Sequence, residues 1–268
     1  MWTIVNYLKA VRDTYHQLTE YDRVRASDPN AVAILIVAHG HYGLTRLALD
    51  AIAALTPEPH ETWVIDNASP PGPAAAVFQD RSVNLLVNHT APWLDSRPVD
   101  GSRANGTALE LAASVMRGRA PRWWFVMHND ATPMRRGWIS YLLGKTSERV
   151  RGVGMYATRA DVMHQSGFLI DASVVETGDF LPNMPQWDAG DRVSLRLGAD
   201  RVTMCPNALT EPARRETVSV TFRGGDLAFD DEGRLLYAHL GGGTIGATSR
   251  QVTEREWIDA SRAWIARQ

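Results

Sequence analysis

Three short clusters in this 268-residue chain carry side chains that bind cations, anions or protons. "RWWFVMHNDATP" (122–133) drives an apolar, aromatic run into His128, Asn129 and Asp130 and then meets a proline. An aspartate at the end of a buried strand is a natural seat for a divalent cation. Mg2+ takes one or two protein carboxylates and fills its other positions with phosphate oxygens and water. His128 lies on the same side as Asp130 if the strand continues, because side chains alternate. The other use for Asp130 is to cap a helix beginning near Met134. "WVIDNASPPG" ends a second run on Asp66, whose carboxylate can accept from nucleobase N–H groups as acidic groups in such folds accept from ribose. The same residues also make a plain turn. "VDGSRANGTALELAA" sets Gly101 and Gly106 around Arg103, ahead of a helical pattern. Glycines allow close approach of backbone to ligand, a helix N-terminus favours anions, and Arg103 adds a permanent charge.

These clusters need a scaffold that brings strand ends together. Short apolar runs alternate with helical periods: "AVAILIVA", "GLTRLALDAIAAL", "TWVIDNAS", "SVNLLVNH", "GTALELAASVMRG", "RWWFVMHND", "GWISYLLGKTSE" and "VRGVGMYA". That alternation predicts βαβ units, an α/β fold and a parallel sheet covered on both faces. Ligands then collect at the carboxyl edge of the strands, so the polar clusters after Ala38, Ile65 and Met127 are expected to line one crevice. Ile4, Leu8, Val11, Tyr15 and Leu18 recur at helical spacing and predict an amphipathic helix over residues 3–24. Its apolar face would pack on the domain or, less simply, join two copies as a homodimer. Beyond residue 157 the pattern loosens, and "REWIDASRAWIAR" closes the chain as a second amphipathic helix. The expected division is an N-terminal helix over 1–30, one domain over 31–250 with halves 31–145 and 146–250, and a C-terminal helix over 251–268.

Composition narrows the partners. A net charge of −2 and the lack of a basic stripe interleaved with aromatics exclude a nucleic-acid binder. The single cysteine, Cys205, excludes an internal disulfide or a multi-cysteine zinc site. The longest apolar run, Ala31 to Ala38, falls far short of the ~20 residues of a membrane span, and "MWTIVNYLKAVRD" mixes charges into its apolar residues, so a cleavable signal is not expected. A cytoplasmic protein, with peripheral membrane contact as the variant, is the expectation. His16, His60, His89 and His164 read as surface residues.

The stretch "ILIVAHGHYGLTRLALDAIAALTPEPHETWVIDNASPPG" resembles the opening of family-2 glycosyltransferases, which have the GT-A fold. The resemblance covers about Ala31 to Leu143 well and continues more thinly, in order, to Gly246. It implies a mixed, mostly parallel sheet flanked by helices, with an extra N-terminal helix here. It also implies transfer of sugar from a nucleoside-diphosphate donor (UDP, GDP or dTDP) to an acceptor hydroxyl, assisted by Mg2+ or Mn2+. Donor contacts carried over are Ala38, His39, Asp66, Asn67, Arg103, Gly106 and Asn129. The metal motif of the family is Asp-x-Asp; here it reads His128-Asn129-Asp130, with only the final acid kept. A histidine near the end of many members also reaches the metal, matched by His239 in "YAHLGGGTIG". The catalytic base of inverting members is an acid at a helix start, matched in "QWDAGDRVSLRL" by Asp188 or by Asp191, three residues on. The two acids also suit the helix dipole. The acceptor is open among polysaccharide, lipid-linked sugar, natural product and protein. The depleted metal motif keeps a non-catalytic sugar-nucleotide-binding partner as an alternative. A sugar nucleotidyltransferase would want a lysine-containing glycine loop after the first strand, which "VAHGHYGLTR" lacks.

Overall fold

A computed structural model describes residues 2–8, 14–79, 82–90, 98–155, 157–159, 162–183, 186–241 and 252–268. The first half runs β1 (Trp2–Leu8), β2 (Thr14–Tyr21), β3 (Val32–Ala38), α1 (Tyr42–Leu55), β4 (His60–Asn67), β5 (Asn84–Asn88), α2 (Pro98–Met116), β6 (Trp123–His128), β7 (Ala131–Pro133) and α3 (Trp138–Gly144). The second half runs β8 (Gly152–Gly154), β9 (Ala157–Arg159), β10 (Val162–Met163), β11 (Gly167–Asp171), α4 (Asp191–Leu197), β12 (Val202–Met204), β13 (Asp226–Phe229), β14 (Leu235–His239) and α5 (Glu254–Ile265).

Nine strands form one sheet in the order β1-β2-β5-β4-β3-β6-β11-β8-β12. The pairings β5-β4, β4-β3, β3-β6 and β8-β12 are parallel, and only β2 and β11 run against the other seven. The expected mixed, mostly parallel sheet flanked by helices is therefore the one observed. β3 explains why. All seven of its residues are buried, as a central strand covered on both faces requires. Val32, Ile34 and Ile36 enter the layer with α1 and α3. Ala33, Leu35 and Val37 enter the opposite layer with α2 and α4. Each of the larger aliphatic side chains contributes roughly 1.5–3 kcal/mol of burial.

The expected N-terminal helix over 3–24 is corrected by the structure. Residues 2–8 and 14–21 are two antiparallel strands, and β2 pairs with β5 from Leu18↔Asn88 to Tyr21↔Leu85. The apolar residues did recur at helical spacing, but "WTIVNYL" and "TYHQLTEY" are rich in aromatic and β-branched residues that suit a pleated surface. An open edge at β5 supplied the partner. The hairpin belongs to the main sheet, so 1–30 is not a separate element, and the helix face proposed for a dimer does not exist. His16 lies on β2 and is buried, against the surface expectation. At the other end, α5 forms as expected. It is closed by a capping box between Thr253 and Glu256, and its Trp257 is fully buried against Phe222. No helix among the described residues is long and apolar enough to cross a membrane.

Candidate functional site

The parallel strands end at one level. Ala38 at the end of β3 pairs with Asp66 of β4, and Val37 pairs with His128 of β6. Asp66 and His128 thus flank β3, two strand spacings or roughly 10 Å apart across the sheet. Beyond β3 the chain turns through Gly40 and His41, both at positive φ, into α1. Ala38 itself is fully buried. His39 is half-exposed, with Nδ1 2.9 Å from the carbonyl of Asn67. His41 reaches Glu254 of α5 at 2.9 Å, which ties the last helix to this turn.

At the β4 end, Asp66 Oδ1 accepts from the Ser69 amide at 3.0 Å, while the Ser69 hydroxyl accepts from Gly40 N–H at 2.8 Å. The turn reading and the ligand reading of Asp66 coexist, since one oxygen holds the turn. Burial raises its pKa, and the Ser69 hydrogen bonds oppose that shift. Asn67 points elsewhere. Its amide donates to the Ala104 carbonyl at 3.0 Å and its oxygen accepts from Asn88 at 2.8 Å, so it fastens β4 to α2 and β5 from within. Asn129 is likewise occupied, donating to Gly40 O at 3.2 Å and to Thr45 Oγ1 at 3.1 Å.

The β6 end assembles the metal cluster. His128 closes β6, Asn129 and Asp130 turn the chain, and β7 begins at Ala131. Asp130 is followed by a strand, and α3 starts later with Gly137 as its cap, so Asp130 is not a helix cap. β14 pairs with β7, setting His239 opposite Ala131, and Leu240 N–H donates to Asp130 O at 3.0 Å. His239 Nε2 lies 3.2 Å from Asp130 Oδ1, and His128 Nδ1 lies 4.0 Å from the same oxygen. One donor atom from each of His128, Asp130 and His239 lies within 4.8 Å of the others. Two imidazoles and a carboxylate are a chemically sound donor set for a divalent cation, so the residues fit the metal that the family resemblance implies.

Partners outside the cluster orient it. Asp226 stands opposite His239 in the β13–β14 register and contacts its Nδ1 at 2.9 Å. Carboxylates behind a ligating imidazole fix its orientation and raise its basicity. Burial disfavours the His239 cation, but Asp130 and Asp226 outweigh it and lift the group to about 10. His128 goes the other way: burial drives it down to about 4. Asn105 of α2 contacts its Nε2 at 2.5 Å. His164, expected at the surface, is buried here. Its ring centre lies 6.0 Å from that of His128 and 5.9 Å from that of His239. Burial above all, with the neighbouring imidazoles of His128 and His239, pushes it down to about 3 against the opposing pull of Asp188 and Asp226.

Gly101 to Gly106 is corrected too. These residues are not a loop before a helix but lie inside α2, which begins at Pro98. A Cβ on Gly106 would sit 2.5 Å from the Phe180 carbonyl and 2.8 Å from Pro182 Cδ. The glycine admits a neighbouring chain segment rather than a phosphate. Arg103 is half-buried on the same helix. Ser102, one residue before it, donates its hydroxyl to Asp188 Oδ1. Ser102, Asn105 and Gly106 therefore share the α2 face turned to the site, as i, i+3 and i+4 positions do.

Asp188 is half-buried, and the same oxygen accepts from Ala189 N–H at 2.7 Å. Its charge acts on both His128 and His164. Asp191 is fully buried at the start of α4 and accepts the Asp188 backbone N–H at 2.9 Å. The two acids thus separate into one that faces the cluster and one that holds it. Asp226, His164, Asn105 and Ser102 were missed by sequence reading. Only Asn105 and Ser102 carried a signal, their spacing on one helix face beside Arg103. The glycines from 242 on, which follow His239, lie outside the described residues.

No protein-family model and no curated protein matches the chain. Solved structures resemble it in part. A mannosyltransferase from Pyrobaculum calidifontis in complex with GDP-Man and Mn2+ is 16% identical, with a TM-score of 0.49, over 68% of this chain and 57% of that one. Glucosyl-3-phosphoglycerate synthase from Mycobacterium tuberculosis is 14% identical, with a TM-score of 0.45, over 65% and 68%. TarS from S. aureus is 11% identical, with a TM-score of 0.45, over 65% and 57%. These are glycosyltransferases of the GT-A type. The chain spans less than two thirds of the length of the first and the third.

Proposed function

We propose that this chain is a glycosyltransferase that moves a sugar from a nucleoside-diphosphate sugar to an acceptor hydroxyl, with inversion at the anomeric carbon. The observation that carries the reading is the convergence of Asp130, His239 and His128 with Asp188 behind them, one strand beyond the β3–β4 rim that bears Asp66. A divalent cation held by that cluster would supply positive charge to the leaving diphosphate.

The remaining work falls to the protein's own groups. Asp66 offers its second oxygen to N–H donors of the base, while Ser69 keeps the first in place. Arg103, half-buried on α2, supplies the positive charge for ribose or phosphate. Asp188 takes the proton of the acceptor hydroxyl as that oxygen attacks, and Ser102, Ala189 and Asp191 hold its carboxylate and backbone in position. Buried surroundings strengthen each of these electrostatic contacts. A rival reading, donor binding without turnover, is favoured by one observation: His128 stands where the family pattern has an acid.

A thermal-shift screen of UDP, GDP, dTDP and their sugars with and without Mn2+ tests donor binding, because a ligand selective for the folded state raises Tm. A base-specific shift that grows with Mn2+ is expected. Product anomeric configuration by NMR then tests inversion. Binding with no transfer or hydrolysis, across several acceptors, would leave the non-catalytic partner standing.

A further inference from the structure

The cation cluster contains one carboxylate and two imidazoles. That is not the oxygen-rich set a hard ion uses. Mg2+ favours carboxylate, phosphate and water, whereas imidazole suits borderline ions such as Fe2+, Co2+, Ni2+ and Zn2+. Both rings are already aimed. Asp226 holds Nδ1 of His239, which leaves Nε2 facing Asp130 Oδ1 at 3.2 Å. His128 turns Nδ1 toward the same oxygen at 4.0 Å and Nε2 toward the Asn105 amide at 2.5 Å. Turning that amide over, an assignment set by its partners, presents its carbonyl oxygen to an Nε2–H. That tautomer leaves the Nδ1 lone pair for a cation, and Asn105 then supports His128 as Asp226 supports His239. The third ring, His164, packs near both, and its Nδ1 accepts from Ser166 N–H at 3.2 Å. Three imidazoles thus stand at the site, and the one carboxylate among the cluster's donor atoms is that of Asp130.

We propose that His128 is a direct third metal ligand, and that the site discriminates against Mg2+ in favour of first-row transition dications, with Co2+ or Zn2+ ahead of Mn2+. For its use in catalysis this rests on the glycosyl-transfer reading, but it concerns the metal alone. The substitution that depletes the family's acidic motif becomes a change of metal preference instead of a loss of metal.

The test uses the full chain, without nucleotide. Electron spin-echo envelope modulation of the Mn2+-loaded protein counts directly bound imidazole nitrogens. Two are expected in the wild type and one in His128→Gln. Isothermal titration with Mg2+ and with Co2+ gives the second readout. His128→Asp is expected to shrink the preference for Co2+ over Mg2+ by about tenfold or more, through tighter Mg2+ and weaker Co2+ binding. Circular dichroism checks that each variant folds; if His128→Asp does not, the wild-type nitrogen count decides alone. A single nitrogen in the wild type, an unchanged preference in a folded His128→Asp, or no metal binding at all overturns the proposal. Two nitrogens in a chain that transfers no sugar would keep the metal assignment and remove the transferase reading. One nitrogen in an active transferase would do the reverse.

Discussion

The two ends of the strand rim, at β4 and at β6, are built differently. At the β4 end, Asp66 and Ser69 lie within four residues of chain, and the turn they make is closed by Gly40 of the neighbouring strand end. At the β6 end, the cluster draws on His128 and Asp130 from one strand end, His239 from a different three-stranded sheet, Asn105 from α2 and Asp226 from β13. The first is local and set by the strand; the second exists only when several distant elements dock. Damage at the first should therefore stay specific to one ligand group. Damage at the second should spread, because each contributor also positions another.

The largest expected effect tests whether Asp188 belongs to the assembled end as a chemical group. Asp188→Asn should lower kcat by about 10²–10⁴ while the donor Kd stays near wild type; unchanged turnover removes it as the base. Next, Asp226→Asn touches no donor in this scheme, yet should weaken metal binding by about 10–100-fold, read by calorimetry. No loss would mean that the His239 pairing is only structural. Asp66→Asn sharpens the contrast: nucleotide binding should weaken by about 1.5–3 kcal/mol, as for a hydrogen bond to a charged group, with the metal isotherm unmoved. A shift in both would show that the two ends are coupled. Gly106→Ala puts a methyl group against the Phe180 carbonyl and should cost about 1–3 kcal/mol of stability, seen as a lower denaturant midpoint at constant slope.

The smallest effect lies away from that rim, at the opposite end of β11. Burial of Asp171 works against its charge, but hydrogen bonds from Arg122, Ser173 and Arg151 prevail and hold its pKa at about 2. A depressed carboxylate pKa stabilises the fold above the unfolded value of 3.8 and loses that contribution as pH falls toward 2. Asp171→Asn should flatten the acid limb of the stability curve over that window and leave metal and donor binding as they were.

What was legible follows the same division. β3, β4 and β6 are continuous apolar runs ending in polar clusters, so their strand ends and Asp66, His128 and Asp130 could be read one segment at a time. His239 was reachable only through the order of family motifs. Asp226 carries no local signal, because its meaning is a cross-strand pairing with His239. The glycines of α2 misled because glycine serves loops and close-packed helices alike. Only the Phe180 to Pro182 segment lying on Gly106 distinguishes the two uses. The N-terminal hairpin was misread because spacing outweighed propensity when the partner edge, β5, lay about seventy residues along the chain.

That His239 comes from β14 has a bearing on synthesis. Asp130 leaves the ribosome on the order of a hundred residues ahead of its partner, and the sheet edge that receives β14 waits as β7 for as long. An unfinished chain can hold most of its main sheet and still lack a complete cation cage. Cation uptake would then report that the last strands have arrived.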